Sequence, residues 1–177
     1  MTFVGWHIPA AKDKDIYALQ VASILLGAGD SSRLKVRLKG DKKHKALALE
    51  GGMESLVRED PGIAIAFGAY LDGAQAKPVK DAIFDEVKKL ADKGPAADEL
   101  RKAKNEVQSG FVFSLEHAQG LADAIGRSWI LTGDPTQFMR DVDEIEKVSA
   151  ADVQRVAKQY FGADRATVVV IPPKGAK

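Results

Sequence analysis

The three histidines, His7, His44 and His117, are the residues of this chain with the clearest potential for metal chemistry. Glu116-His117 matches the second half of an H-x-x-E-H motif, in which two histidines one helical turn apart bind zinc and the glutamate acts as a general base. Phe113 occupies the position of the first histidine. A single histidine does not supply the three protein ligands of a catalytic zinc site. We therefore interpret Glu116-His117 as a chance match.

The other two histidines favour structural interpretations. His7 lies in a β-favouring segment whose neighbouring residues, Trp6 and Ile8, face the opposite side of the predicted strand. His44 lies among lysines, whose positive charge disfavours a bound cation, so it is interpreted as a solvated loop residue. The chain has no cysteine, which excludes disulfides, thiolate zinc sites and a cysteine nucleophile but is compatible with either the cytosol or the periplasm.

Phosphate-binding and serine-nucleophile motifs are incomplete in this sequence. Gly27-Ala28-Gly29 provides only the first half of a G-x-G-x-x-G fingerprint and follows a predicted helix, so we interpret it as the end of that helix. Ser31-Ser32 lacks the G-x-S-x-G context of a hydrolase nucleophile. Its hydroxyl groups are instead predicted to cap a short helix.

The densest run of charge is basic and spans residues 33–45. It contains Arg33, Lys35, Arg37, Lys39, Lys42, Lys43 and Lys45. We interpret this run as a solvated surface; alternatively, its cations could bind a peptide carbonyl, a substrate carboxylate or an acidic domain. The whole chain has 26 Lys+Arg against 25 Asp+Glu and few aromatic residues near the basic run, which argues against a nucleic-acid partner.

The elements that must position these residues follow from hydrophobic periodicity. A length of 177 residues, 45% of them hydrophobic, predicts one domain covering residues 1–177. Strands are predicted at residues 2–8, 46–57, 63–71 and 167–171. Two short helices are predicted at residues 13–27 and 31–38, and a longer helical run lies between residues 78 and 160. Strands separated from a helical run predict an α+β fold, in which helices pack on one face of a mainly antiparallel sheet.

Several local features are also predicted. Asp13 or Asp15 is expected to cap the first helix, and residues 149–152 form a capping-box signature that opens the last one. Gly51-Gly52 indicates a bulge or bend. Residues 63–68 alternate bulky and small side chains, which predicts one strand face that a helix can approach closely. An apolar stripe on a further helix comprises Ala118, Leu121, Ala122, Ile125 and Trp129.

No segment of the sequence predicts a membrane span. The longest apolar stretches, residues 16–26 and 118–125, contain polar residues and fall short of the roughly 18 to 20 apolar residues that a span requires. Residues 1–7 lack the features of a signal peptide and resemble the middle of a strand. We therefore expect the chain to be a piece of a longer protein.

Five short motifs, in order along the chain, resemble the C-terminal, non-metal-binding domain of the pitrilysin/insulinase family of zinc peptidases, in its bacterial branch related to mitochondrial processing peptidase. They are D-x-Y-A-L-x-V at residues 15–21, L-L-G-x-G-x-S-S-R-L at 25–34, E-L-x-x-A-K at 99–104, V-S-x-x-D-V-Q-x-V-A-K-x-Y at 148–160 and T-V-V-V-I-P-P at 167–173. The resemblance covers nearly the whole chain.

The resemblance implies two similar α+β domains that close around an unfolded peptide. Zinc is then expected in the other, missing domain and no cofactor in this one. The implied partners are that zinc-binding domain, in the same chain or in a homologous subunit, and a peptide substrate. Lys39 and Leu49 occupy the positions of a family Arg and Tyr that bind the substrate carbonyl, and they are the candidate substrate-binding residues.

Two alternatives differ from the chamber domain of a peptidase. Lys lacks the planar, two-pronged donor of Arg, and Leu donates no hydrogen bond, which favours a non-catalytic pseudoenzyme or structural subunit that pairs with an active partner. An independent ligand-binding α+β domain is the other alternative. The resemblance favours a bacterial origin and the periplasm, with the cytoplasm left open.

Overall fold

The computed structural model describes residues 1–40 and 45–173 of the chain. The strands and helices are β1 (Thr2–Ile8), α1 (Ile16–Gly27), α2 (Arg33–Lys39), β2 (Glu50–Leu56), β3 (Gly62–Ala69), α3 (Ala76–Lys93), α4 (Ala97–Ser114), α5 (Ala118–Thr132), α6 (Phe138–Lys147), α7 (Ala150–Tyr160) and β4 (Ala166–Val170). Short 3-10 turns precede α3 and β4. The predicted elements are present, although β2 begins at Glu50, four residues later than expected.

The described strands form one antiparallel sheet in the order β2-β3-β1-β4. Alternate residues of β1, from Thr2 to Ile8, are buried beneath the helices, whereas His7 on the opposite face is exposed. This alternation follows from the two-residue period of a strand. The α+β fold, with helices on one face of an antiparallel sheet, is confirmed.

Small residues on β3 let helix α3 approach the sheet, as predicted. Ala64 and Ala66 are completely buried on the helix side, while Ile63 and Ile65 lie on the half-buried opposite face. A methyl group added at Gly68 would overlap the Val79 side chain of α3. The small face therefore sets the distance between helix and sheet.

The prediction of a bulge at Gly51-Gly52 was wrong. The pairing of β2 with β3 is continuous from Glu50 to Leu56. The glycines instead allow α1 to cross β2 in backbone contact: a methyl group added at Gly52 would lie 2.9 Å from the Gly27 carbonyl oxygen, and one added at Gly27 would overlap the Met53 backbone. The glycines therefore lack side chains where α1 and β2 pack closely.

Asp15 does not cap α1 through its side chain, contrary to one of the predictions. Its carboxylate, 3% exposed, accepts hydrogen bonds from both Arg155 terminal nitrogens (3.0 and 2.7 Å) and from the Tyr160 hydroxyl (3.1 Å). These donors lie on α7, so the side chain joins the first helix to the last. The Arg155 hydrogen bonds hold the pKa of Asp15 below its usual range. The Asp13 carboxylate accepts the Asp15 backbone N–H at 2.8 Å.

The two predicted serine caps behave differently. At α7, Ser149 and Asp152 form the reciprocal capping box, with the Asp152 N–H donating to Ser149 Oγ at 3.1 Å. At α2, Ser32 occupies the cap position, but its side chain does not cap the helix. The Ser32 Oγ is buried and has no hydrogen-bond partner among the described residues.

Helix α5 turns its apolar stripe outward. Leu121, Ile125 and Trp129 are 42%, 40% and 60% exposed, although an apolar stripe on a helix ordinarily faces the core of its own domain. The inward side carries Gly120, Ala124 and Ser128, spaced four residues apart. The stripe was therefore predicted correctly as a helical pattern, but it does not cover this domain's core.

Candidate functional site

Lys39 and Leu49 lie on either side of the connection between α2 and β2. The backbone N–H groups of Leu47 and Ala48 donate to the Leu38 carbonyl at 2.8 and 2.9 Å, which holds the end of the connection against the end of the helix. The Leu49 N–H donates to the Ala69 carbonyl at 2.7 Å and joins the residue to the sheet. The Leu49 side chain remains 61% exposed.

Glu50 links the two candidate residues. Lys39 Nζ lies 2.9 Å from Glu50 Oε2, and Glu50 follows Leu49 directly in the chain. The hydrogen bond from Lys39 holds the pKa of Glu50 below its usual range. The structure therefore brings the Lys39 ammonium group to the start of β2, where it pairs with the residue that follows Leu49.

This arrangement fixes what the two residues can do chemically. An ammonium group has three N–H donors, so Lys39 can donate to Glu50 and still donate to a carbonyl oxygen. Leu49 offers apolar contact and no donor. The pair can hold an extended chain beside β2, but it provides one side-chain donor for a carbonyl where an Arg/Tyr pair would provide more.

Acidic residues neutralise much of the basic run around this site. Lys35 Nζ lies 3.1 Å from Asp30 Oδ1, and Arg33 forms a two-pronged pair with Glu99 through bonds of 2.9 and 2.7 Å. Lys45 is exposed. Lys42, Lys43 and His44 lie outside the described residues. Three cations of the run, Arg33, Lys35 and Lys39, are therefore paired with acidic side chains of the chain itself.

The Arg33–Glu99 pair also joins two of the sequence motifs in the structure. Arg33 belongs to the motif at residues 25–34 and Glu99 to the motif at 99–104. Glu99 accepts the Ala96 N–H at 2.8 Å, and Arg33 donates to the Gly94 carbonyl at 3.3 Å. The pair fastens α2 to the first turn of α4, so it positions the helix that carries Lys39.

The described residues of this domain do not bring together a set of zinc ligands. His117 precedes the first turn of α5 in extended backbone, whereas Phe113 lies near the end of α4, so the two positions do not share one helical turn. Across residues 1–40 and 45–173, no group of three or more histidine or carboxylate side chains could hold a metal ion.

Sequence analysis missed a cavity of about 400 Å³ between α1 and helices α4 to α6. At its wall the Tyr17 hydroxyl donates to Asp141 Oδ1 at 2.9 Å. Burial, together with this carboxylate, raises the pKa of Tyr17 to about 12. The four-residue spacing of Gly120, Ala124 and Ser128 could have predicted this cavity, because small side chains on the inward face of a helix leave space.

The described elements define the class of the protein: an α+β domain, with helices on one face of an antiparallel sheet, in which a Lys and a Leu lie at the two ends of the connection to an edge strand. The chain belongs to the peptidase M16 inactive domain family, whose model matches residues 1–107. No helix in the described part of the chain is both long and apolar enough to span a membrane.

Relatives agree with this assignment. Zinc protease PqqE from Helicobacter pylori is 26% identical over 170 residues, which cover 96% of this chain and 37% of that protein. Mitochondrial-processing peptidase subunit beta from Lentinula edodes is 26% identical over 165 residues, covering 89% of this chain and 34% of that protein. The chain thus spans little more than a third of the length of these relatives.

A solved structure shows the same fold. The inactive peptidase domain of a protein from Bordetella parapertussis superposes with a TM-score of 0.84, over 98% of this chain and 90% of that one, at 22% sequence identity. At that identity the likeness concerns the fold alone.

Proposed function

We propose that this domain forms the metal-free wall of a peptide-binding chamber in an M16 zinc peptidase, and that a separate zinc-binding domain, in the same chain or in a homologous subunit, forms the other wall. The observation that carries the proposal is the outward apolar stripe of α5. Membership of the inactive-domain family supports the identity of the partner.

The stripe is large for a surface with no partner. Large apolar side chains are 40–65% exposed along α5, at the end of α4 and at the start of α6: Val112, Phe113, Leu121, Ile125, Trp129, Ile130 and Met139. Exposed large apolar side chains, where they form a patch, mark interaction sites in soluble proteins. Burying Trp129 and Ile125 against a second domain would stabilise the pair through the hydrophobic effect.

Strand β4 supports the same proposal. It lies at one edge of the described sheet, and Val168, Val169 and Val170 are 39%, 49% and 47% exposed although they alternate between the two faces. An uncovered apolar edge strand tends to pair with another chain. A further part of the protein that covers this edge would remove that hazard.

Lys39 and Leu49 are proposed to contact the peptide inside the chamber. The Lys39 ammonium group would donate to a carbonyl oxygen of the substrate, while Leu49 would provide apolar contact beside the start of β2. Glu50 competes for the same ammonium group at 2.9 Å, so the contact is expected to be weaker than that of an unpaired cation.

A binding experiment tests the pairing. The 177-residue chain and the zinc-binding domain encoded with it would be produced separately and mixed in an isothermal titration calorimeter. We expect saturable binding that Ile125→Asp weakens at least about tenfold, because the charge would lie in the interface. Leu71→Asp is the matched control, since Leu71 is 78% exposed and lies outside the stripe.

Two results would overturn the proposal: no binding at all by the folded chain, or an equal effect of Ile125→Asp and Leu71→Asp. Circular dichroism of both variants checks that each is folded. The experiment therefore separates loss of an interface from loss of structure.

A second candidate is a structural subunit that assembles with an active peptidase without contacting its substrate. The Lys39–Glu50 pair and the absence of a donor at Leu49 favour it, because both reduce what the site offers a carbonyl. In that case Lys39→Met would leave the kinetics of the assembled enzyme unchanged.

A further inference from the structure

The cavity between α1 and helices α4 to α6 has the composition of a binding site for a small ligand. Its volume is about 400 Å³, and Phe111, Val142 and Ile145 are among the apolar side chains of its lining. The rings of Phe111 and Phe138 lie with their centroids 6.1 Å apart across two helices. Ligand sites are typically such apolar cavities with a few convergent polar groups.

The inward face of α5 creates this space. Gly120, Ala124 and Ser128 line the cavity at positions four residues apart, while the large side chains of the same helix point outward. Ser128 is 6% exposed, and its hydroxyl accepts the Phe138 N–H at 3.0 Å, which fixes the start of α6. Helix α5 is therefore held in place by α6 and does not fill the cavity.

Asp141 is one of the charged residues on the cavity wall. Its Oδ1 accepts hydrogen bonds from the Tyr17 hydroxyl at 2.9 Å and from Gln137 Nε2 at 3.1 Å. Its Oδ2 has no donor among the described residues, and no described cation pairs with the carboxylate. An ionised carboxylate accepts about four hydrogen bonds, so Asp141 is fixed in orientation with accepting capacity left over.

Arg127 and Asp123 lie one turn apart on α5 and line the same cavity. Arg127 makes no ion pair with any described residue, so its guanidinium group can donate to a carbonyl or carboxylate oxygen. The lining thus includes carboxylates, apolar side chains and a cation. These three kinds of group match the ammonium group, the side chain and the carbonyl group of a terminal amino-acid residue, which all branch from one Cα.

We infer that this cavity binds the N-terminal residue of a short peptide, with the ammonium group on Asp141, an apolar side chain among Phe111, Phe138 and Val142, and the carbonyl oxygen toward Arg127. The choice of a peptide, rather than another apolar amine, rests on the proposed function. The site is separate from Lys39 and Leu49, which lie at the other end of β2.

The probe is L-phenylalaninamide, with N-acetyl-L-phenylalaninamide as its uncharged counterpart, titrated into the 177-residue chain by calorimetry or NMR. We expect saturable binding of the amine with a Kd of about 1 mM or lower, and binding of the acetylated compound at least about tenfold weaker. Equal binding of the two compounds, or no saturable binding of the amine, would overturn the inference.

Variants locate the site. Asp141→Asn should weaken binding of the amine at least about tenfold, because the amide accepts a weaker hydrogen bond from the ammonium group than a carboxylate does. Asp143→Asn, on the exposed side of the same helix, should leave the affinity unchanged. An equal loss in both variants would contradict a specific role for Asp141.

A second pair of variants tests the shape of the cavity and not its charge. Ala124→Leu fills the cavity and should abolish binding, whereas Ala122→Leu makes the same change on the outer face of α5 and should not. Because the titration uses this chain alone, its failure leaves the association with a zinc-binding domain to be judged by its own experiment.

Discussion

At the scale of single residues, Asp15 shows how a motif position can serve the fold. The first of the five motifs begins at Asp15 and the fourth contains Arg155 and Tyr160, so one buried carboxylate brings the two motifs together. A buried carboxylate is tolerated when charged and neutral donors satisfy it. Here three hydrogen bonds do so across 140 and 145 positions of sequence.

Removing the cation from this group should destabilise the domain. We expect Arg155→Met to lower the free energy of unfolding by about 2 kcal/mol, because it leaves the buried Asp15 carboxylate with only the Tyr160 donor. Urea unfolding at neutral pH measures the change. Arg101→Met, which removes an exposed pair with Asp98, is the control and should cost no more than about 0.5 kcal/mol.

The same group predicts a pH dependence with a definite sign. Since the pKa of Asp15 is lower in the folded than in the unfolded chain, its contribution is present above the unfolded pKa of about 3.9 and is lost as the pH falls through the folded value. The difference in unfolding free energy between wild type and Arg155→Met should therefore shrink as the pH falls from about 5 to about 2. A difference that stays constant over this range would contradict the assignment.

Lys39 provides a residue-scale test of substrate contact. In the assembled peptidase, Lys39→Met should raise KM for a flexible peptide about fivefold with little change in kcat, as expected for loss of a hydrogen bond that binds ground state and transition state alike. Steady-state kinetics measure both constants. Lys35→Met is the matched control, because Lys35 lies one helical turn before Lys39 and pairs with Asp30. An equal rise in KM in this variant would show that the effect comes from the overall positive charge of the helix and not from Lys39.

At the scale of elements, the crossing of α1 over β2 depends on backbone contact. Gly27→Ala should destabilise the domain by about 3 kcal/mol, since its methyl group would overlap the Met53 backbone. Gly126→Ala is the matched control in another helix: nothing lies within 4 Å of its added methyl group, so it should stabilise α5 by about 0.5 kcal/mol or more. Thermal unfolding of both variants separates the effect of backbone contact from that of helix propensity. A loss of stability in both variants would contradict a specific role for the contact between Gly27 and Met53.

Much of the fold could be predicted because periodicity is a local property. The alternation in β3 and the capping box at Ser149 specify both an element and the side that it buries. Asp15 and Gly51-Gly52 were misassigned because their partners, Arg155 and the Gly27 carbonyl, are distant in sequence. The α5 stripe shows a further limit: periodicity identifies an apolar face but does not specify which surface covers it.

The candidate site was predictable in part for the same reason. Lys39 and Leu49 followed from a motif resemblance, and their contact with a substrate stays a prediction. The pairing of Lys39 with Glu50 and the cavity beside Asp141 depend on three-dimensional packing. Neither is encoded in a short segment, so sequence patterns alone did not reveal them.

At the scale of the whole molecule, the near-equal numbers of cationic and anionic side chains are reflected in ion pairs. Many charges are used in pairs between elements, as in Arg33–Glu99 and Asp15–Arg155, while large apolar side chains remain on α5 and β4. We therefore propose that a partner would contact mainly the apolar side chains of α5 and β4. This distribution is consistent with one part of a larger, stable assembly.

Reconstitution of peptidase activity tests the central claim most directly. The zinc-binding domain encoded with this chain, the 177-residue chain and their equimolar mixture would each be assayed on a flexible fluorogenic peptide. We predict activity in the mixture, removed by a zinc chelator, and none from the 177-residue chain alone. Chelator-sensitive hydrolysis by this chain alone, or a zinc-binding domain that is equally active without it, would contradict the account.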